Sequence, residues 1–160
     1  MKRMISFAFA LSLASALPGV AQAQSANAVA IDSNVMVERT TTDAAGRSQT
    51  MLEEPRVVVP GDKLVFVLNY RNNGVRPATD FVVTNPLPQA VAFDGTSDAD
   101  TSVSVDGGRN WGQLAALTIR NADGTSRPAR AEDVTHIRWA FQQPIPAGRA
   151  GRLMFRGVVR

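Results

Sequence analysis

From Lys63 to Arg71 the chain reads KLVFVLNYR, with Leu64, Phe66, Leu68 and Tyr70 on one side and Val65, Val67 and Asn69 on the other. An apolar period of two, carried by branched and aromatic residues, is the pattern of a β-strand. Pro60-Gly61-Asp62 turns the chain into this run. Asn72-Asn73-Gly74 follows it, and these residue types tolerate positive φ, which predicts a chain reversal. A second run, Thr79 to Thr84, places Phe81 and Val83 opposite Val82 and Thr84. Asn85-Pro86-Leu87-Pro88 is expected to stop it, because proline donates nothing to a ladder. The two runs form either a hairpin or a pair of strands in facing sheets.

The same period recurs along the chain. Asn34–Thr41 predicts a first strand, Ser48–Glu53 a weaker one and Val57–Val59 a short extended edge. Ala90–Phe93, Thr101–Val105 and Gln113–Arg120 are further extended pieces, and Asn121–Asp133 is the longest loop. Val134–Phe141 is a strong strand with Ile137, Trp139 and Phe141 toward the core and His136 and Arg138 outward. Arg152–Val159 closes the sheet with Leu153, Phe155 and Val159 inward. That is about nine short strands with turn signals every eight to twelve residues, the spacing of an all-β sandwich. No segment keeps a 3.6-residue apolar period, so alternating βαβ units are not expected.

The first residues read MKRMISFAFALSLASALPGVAQA. A basic start (Lys2, Arg3), a short apolar run and a small-residue Ala21-Gln22-Ala23 end make a secretory signal peptide over 1–23, expected to be helical. The apolar run is shorter than the roughly 20 residues a spanning helix needs, so no stable membrane insertion is expected after cleavage. Residues 24–33 are polar and alanine-rich and read as a flexible lead-in, which leaves 34–160 as one domain. The chain has no cysteine, hence no disulfide and no lipid-attachment thiol. A domain of this size can bury enough core without crosslinks.

Without Lys2 and Arg3 the 17 basic residues fall by two against 14 acidic ones, so the mature chain is nearly neutral. No basic run interleaves with aromatics, and nucleic acid is not an expected partner. Arg120, Arg127, Arg130, Arg138, Arg149, Arg152, Arg156 and Arg160 crowd the last part of the chain. An acidic polysaccharide is one reading of them; solvated alternate strand positions are the simpler one.

No chemistry is legible. His136 is the single histidine, and no Gly-x-Ser-x-Gly elbow accompanies it. One histidine and no cysteine leave no ordinary zinc site. Asp94, Asp98, Asp100 and Asp106 lie close together, yet DGTSDAD matches no calcium loop and no bidentate glutamate follows. The expectation is therefore no catalytic residue, no metal ligand and no cofactor.

Two stretches carry resemblances. PGDKLVFVLNYRNNG followed by PATDFVVTNPLP resembles the "domain of unknown function 11" repeat of bacterial envelope proteins. Gly61, Asp62, Asn72, Gly74, Leu87 and Pro88 stand where that pattern wants them, while Asn85 replaces its usual aspartate. The closing PIPAGRAGRLMFRGVV resembles that family's final strand. The resemblance implies an immunoglobulin-like sandwich at the cell surface or in the periplasm and no enzyme activity. Ser104–Trp111, SVDGGRNW, resembles the Asp-box of sialidase-type propellers at Ser104, Asp106, Gly108 and Trp111, with Asn110 in place of threonine. A propeller needs several copies, and one is present. The stretch is thus expected to be a hairpin turn, within a hairpin from about Thr101 to Arg120, with Asp106 bonded to turn amides.

The sequence accordingly predicts an immunoglobulin-like antiparallel β-sandwich, exported to the cell envelope, acting as a structural or interaction module on envelope protein or polysaccharide. A glycan-binding module is one alternative and would need exposed aromatics. A periplasmic chaperone or fibre subunit acting by strand addition is the other and would need an unpaired apolar sheet edge.

Overall fold

A computed structural model describes residues 28–96, 98 and 100–160. The expected signal helix over 1–23 lies outside the described residues. The described residues are all-β, in the order β1 Val29–Thr42, β2 Ser48–Glu53, β3 Lys63–Asn72, β4 Val82–Pro86, β5 Val91–Thr96, β6 Thr101–Ser104, β7 Thr118–Arg120, β8 Ser126–Pro128, β9 His136–Ala140 and β10 Ala150–Val159. These make a five-stranded sheet, β2-β1-β3-β10-β5, a three-stranded sheet, β4-β9-β6, and the small ribbon β7-β8. Every strand pair is antiparallel.

The alternating run at 63–71 sits at the centre of the larger sheet. β3 pairs with β1 on one side and β10 on the other. Leu64, Phe66 and Leu68 turn to the smaller sheet, where Val83, Val103, Ile137 and Trp139 meet them in one core. Phe66 and Phe155 are direct cross-strand neighbours and stack at 4.4 Å, and Trp139 approaches Phe155 from the opposite sheet at 6.0 Å. Such pairs contribute beyond their buried area. Tyr70 lies over its cross-strand partner Gly151, so a Cβ there would run into the phenol ring.

The outward face of β3 is covered only in part. Val65 is buried although it points away from the core. Arg156, its register partner on β10, reaches across β3 to Glu38 of β1 at 3.0 Å. Pro60-Gly61-Asp62 forms the expected turn: Gly61 has φ 93° and Asp62 N–H donates to Val59 O. The Asp62 carboxylate accepts Arg39 Nη1 and Val59 N–H, which hold it below the usual carboxylate range.

Several boundaries differ from the sequence reading. Residues 28–33 are not lead-in: β1 begins at Val29, which is buried opposite Asn72. Long-range pairing with β3 overrides a locally featureless sequence there. The 72–74 segment is no hairpin, because β3 and β4 belong to different sheets, and none of its three residues has positive φ. β4 begins at Val82 rather than Thr79 and runs through Pro86 rather than ending at Thr84, since an edge strand tolerates a missing donor. Val57–Val59 is exposed and unpaired as a strand. Gln113–Arg120 splits into a 3-10 turn, Leu114–Ala116, and β7, whose partner β8 lies in the stretch expected to be loop. A second 3-10 turn, Ala131–Asp133, is pinned by a bidentate Arg127–Asp133 pair at 2.6 and 2.7 Å.

Candidate functional site

Four places merit a chemical reading: the aspartate loop after β5, the Ser104–Trp111 turn, the surroundings of His136, and the edges of the sheets.

The four aspartates do not converge. Asp98 turns inward and its Oδ2 accepts Trp139 Nε1 at 3.1 Å and Met154 N at 2.9 Å. Thr96 Oγ1 donates to Met154 O at 2.7 Å. Together these side chains continue the β5–β10 ladder where the register shifts between Phe155 and Gly157. A carboxylate so used is a structural group. It borders a cleft of about 380 Å³ between the sheets, lined also by Asp100, Phe141 and Gln142. Asp106 is committed to its own turn. No group of three or more potential metal-ligating side chains forms among the described residues.

In that turn Asp106 Oδ1 accepts Arg109 N at 3.0 Å, Asn110 N at 2.9 Å and Ser104 Oγ at 2.8 Å, and Oδ2 accepts Asn110 Nδ2 at 2.6 Å. Ser104 is fully buried and its hydroxyl also receives Gly108 N–H at 2.9 Å. Gly107 and Gly108 take φ of 78° and 86°, a region costly for other residues. The Trp111 indole folds back and donates to Gly108 O at 2.8 Å. The turn closes on a single bridge, Val103↔Gly112, and does not extend to Arg120, because β6 pairs with β9 instead.

The amide and side chain of Asn110, then Ser104, hold the Asp106 carboxyl well below the usual carboxylate range. A depressed carboxylate stabilises the fold above its unfolded pKa of about 4 and loses that effect as pH falls through the folded value. Asp106→Ala is therefore expected to lower the melting temperature most at neutral pH. The gap to the parent should narrow steadily from about pH 4 downward. A gap independent of pH would show that the carboxylate charge contributes nothing.

His136 Nδ1 lies 3.0 Å from Thr135 Oγ1, and its ring meets Trp111 edge-on at 6.3 Å. No carboxylate hydrogen-bonds it among the described residues. The guanidinium of Arg138 sits 3.7 Å over the Trp111 ring, so one face of that indole is already occupied. Most of the other crowded arginines are engaged by hydrogen bonds: Arg127 with Asp133, Arg156 with Glu38, Arg152 with Asn69, and Arg160 with the carbonyls of Val91 and Glu132. Trp139 is 1% exposed, and Tyr70 and Phe141 pack edge to face at 5.0 Å. The most exposed large apolar side chains among the described residues are all aliphatic, namely Ile31, Met51, Leu52, Val57–Val59, Val75 and Val82, while Tyr70, Phe81, Trp111 and Phe141 are half-buried.

The sheet edges are treated unequally. On the free side of β6, Gly112 bridges Val103 and Gln113 Nε2 donates to Thr101 O. β4 is short and ends in Pro86. β5 is broken by its register shift, and Arg160 Nη2 donates to Val91 O. These are common means of blunting an edge. β2 has none of them. Its six residues are all exposed, it contains no proline or basic residue, and no strand among the described residues pairs with its outer side.

No family model matches the chain, and no curated protein or solved structure is a match for it.

Proposed function

We propose that this chain is an exported cell-envelope interaction module, an immunoglobulin-like β-sandwich without catalytic activity, that engages its partner by strand addition. One observation carries the reading: β2, SQTMLE, is an unblunted edge strand with Met51 and Leu52 exposed at 44% and 49%. An unpaired row of main-chain donors and acceptors beside aliphatic side chains is the surface that strand addition uses. The valines at 57–59, separated from the end of β2 by three residues, are exposed as well. Export rests on residues 1–23, and an envelope role on the resemblance of the 60–88 stretch to envelope repeats.

Two measurements test it. Mass spectrometry of the periplasmic fraction should find a chain beginning at Gln24. A photo-crosslinking residue placed at Thr50 should form adducts in living cells, while one at Arg120, on the β7-β8 ribbon, should not. A protein retaining Met1 in the cytoplasm, or equal adduct yields at both positions, would sink the reading.

A further inference from the structure

The β2 edge is complementary to itself. The hydrogen-bonding phase of β2 follows from its hairpin. Asp43 N donates to Arg47 O at 2.9 Å, which makes Asp43–Arg47 a hydrogen-bonded pair. Alternation then assigns the main-chain groups of Gln49, Met51 and Glu53 to β1. Those of Ser48, Thr50 and Leu52 point to the free side. The hydroxyl contacts Thr40–Thr50 at 3.2 Å and Thr42–Ser48 at 3.1 Å fall on the closer, non-hydrogen-bonded pairs, as this phase requires.

We infer that β2 pairs antiparallel with β2 of a second copy of this chain, about a two-fold axis at Thr50. This deepens the strand-addition reading and rests on it for the edge, but names the partner. In that register all three outward residues of each strand are used: Thr50 meets Thr50, and Ser48 meets Leu52 of the second copy. The pairing forms about six main-chain hydrogen bonds and joins the two large sheets into one. Gln49 lies opposite Met51. One step further out, Arg47 lies opposite Glu53 of the second copy, and Glu53 opposite its Arg47. Both charges are available. Arg47 Nε holds Asp43 at 2.8 Å, while its Nη atoms make no hydrogen bond among the described residues. Glu53 has no ion pair within the chain among the described residues. Shifting the register by two residues in one direction sets Met51 against Arg47. Shifting it in the other sets Glu53 against Gln49. Only the register centred on Thr50 satisfies both the ladder and the charges. The interface is short, so the dimer is weak, with a Kd on the order of tens of micromolar.

Sedimentation velocity of the chain purified from the expressing cell tests this over a concentration series. The expected result is a concentration-dependent monomer–dimer equilibrium. Thr50→Pro removes an outward N–H without touching the bonds to β1, and should abolish the dimer while leaving circular dichroism unchanged. Glu53→Arg should weaken dimerisation at least about tenfold. Adding Arg47→Glu to that variant should restore it, because the reversed charges meet again across the axis. The chain has no cysteine, so Thr50→Cys gives a clean crosslink under oxidation if the axis passes there. A chain monomeric throughout the series overturns the inference. So does a dimer indifferent to Thr50→Pro, or a double charge reversal no better than the single one. These outcomes are separate from the wider reading: a strict monomer whose Thr50 crosslinks another envelope protein keeps that reading and loses this one. A cytoplasmic protein retaining Met1 that still dimerises does the reverse.

Discussion

Trp139→Ala is expected to lower the free energy of unfolding by about 3–5 kcal/mol. The indole is 1% exposed at the centre of β9, the middle strand of the smaller sheet, and it faces Phe155 of the larger one. Truncation removes the largest side chain from the contact between the layers and leaves a cavity that flanking strands cannot fill without moving. It also takes away Nε1–H from Asp98, which is left with Met154 N as its partner for Oδ2. The loss is a large part of the 5–15 kcal/mol typical of a domain. Urea unfolding followed by far-UV circular dichroism measures it without relying on the tryptophan signal, since Trp111 would be the one indole left. Trp139→Phe separates the two contributions: it keeps most of the ring volume and loses only the N–H, and should cost about 1–2 kcal/mol. An unchanged midpoint for Trp139→Ala would mean that the indole is not the contact between the layers. A surface role for it, and with it a glycan-binding reading, would then gain.

What the sequence makes legible follows from what period two encodes. Alternation states which residues share a face, and so Phe66, Leu68, Ile137, Trp139 and Phe155 were readable as one core and are one core. The 63–71 and 152–159 runs are both strands, and β3 and β10 are neighbours inside the larger sheet. Alternation says nothing about which strand lies beside which. β2 has the bounds its sequence suggests, Ser48–Glu53, yet its lateral position as a bare edge depends on a sheet order that no local signal carries. The candidate interaction surface was hidden for that reason. Val29–Ser33 was missed on the same ground, because its strand character comes from Leu68–Asn72 across the ladder. Nothing local signals the inward turn of Asp98 toward Trp139 and Met154, which is again a long-range event. The Asp106 turn was legible in its bonds to the amides of Arg109 and Asn110, since these contacts span at most four residues, while the Ser104 hydroxyl and Asn110 side-chain donors were not foreseen.

Asn72→Ala is expected to cost about 3 kcal/mol, although nothing apolar of any size is lost. The side chain is fully buried. Its Nδ2 donates to Ile145 O at 2.8 Å and Arg76 O at 2.9 Å, and its Oδ1 accepts Gly74 N at 2.9 Å. Its own N–H donates to Arg149 O, and its carbonyl accepts Gly148 N–H. One residue thereby fastens the end of β3, the 73–76 loop and the turn that leads into β10. Alanine leaves the Arg76 carbonyl and the Gly74 amide without these partners and the Ile145 carbonyl with the Ala78 N–H alone, and each of the three lost bonds costs about 1 kcal/mol. Asn72-Asn73-Gly74 thus acts through hydrogen bonding rather than through positive φ. Asn72→Asp distinguishes this account from simple packing. Aspartate has the same shape, but its carboxylate cannot donate to Ile145 O or Arg76 O, and burial would push its pKa up. The folded state then binds a proton more readily than the unfolded one, so stability rises as pH falls. The deficit of Asn72→Asp relative to the parent should be largest at pH 7. It should shrink toward pH 4, where the protonated acid regains one donor. A deficit that stays constant over that range would mean that shape, not donation, is what position 72 requires.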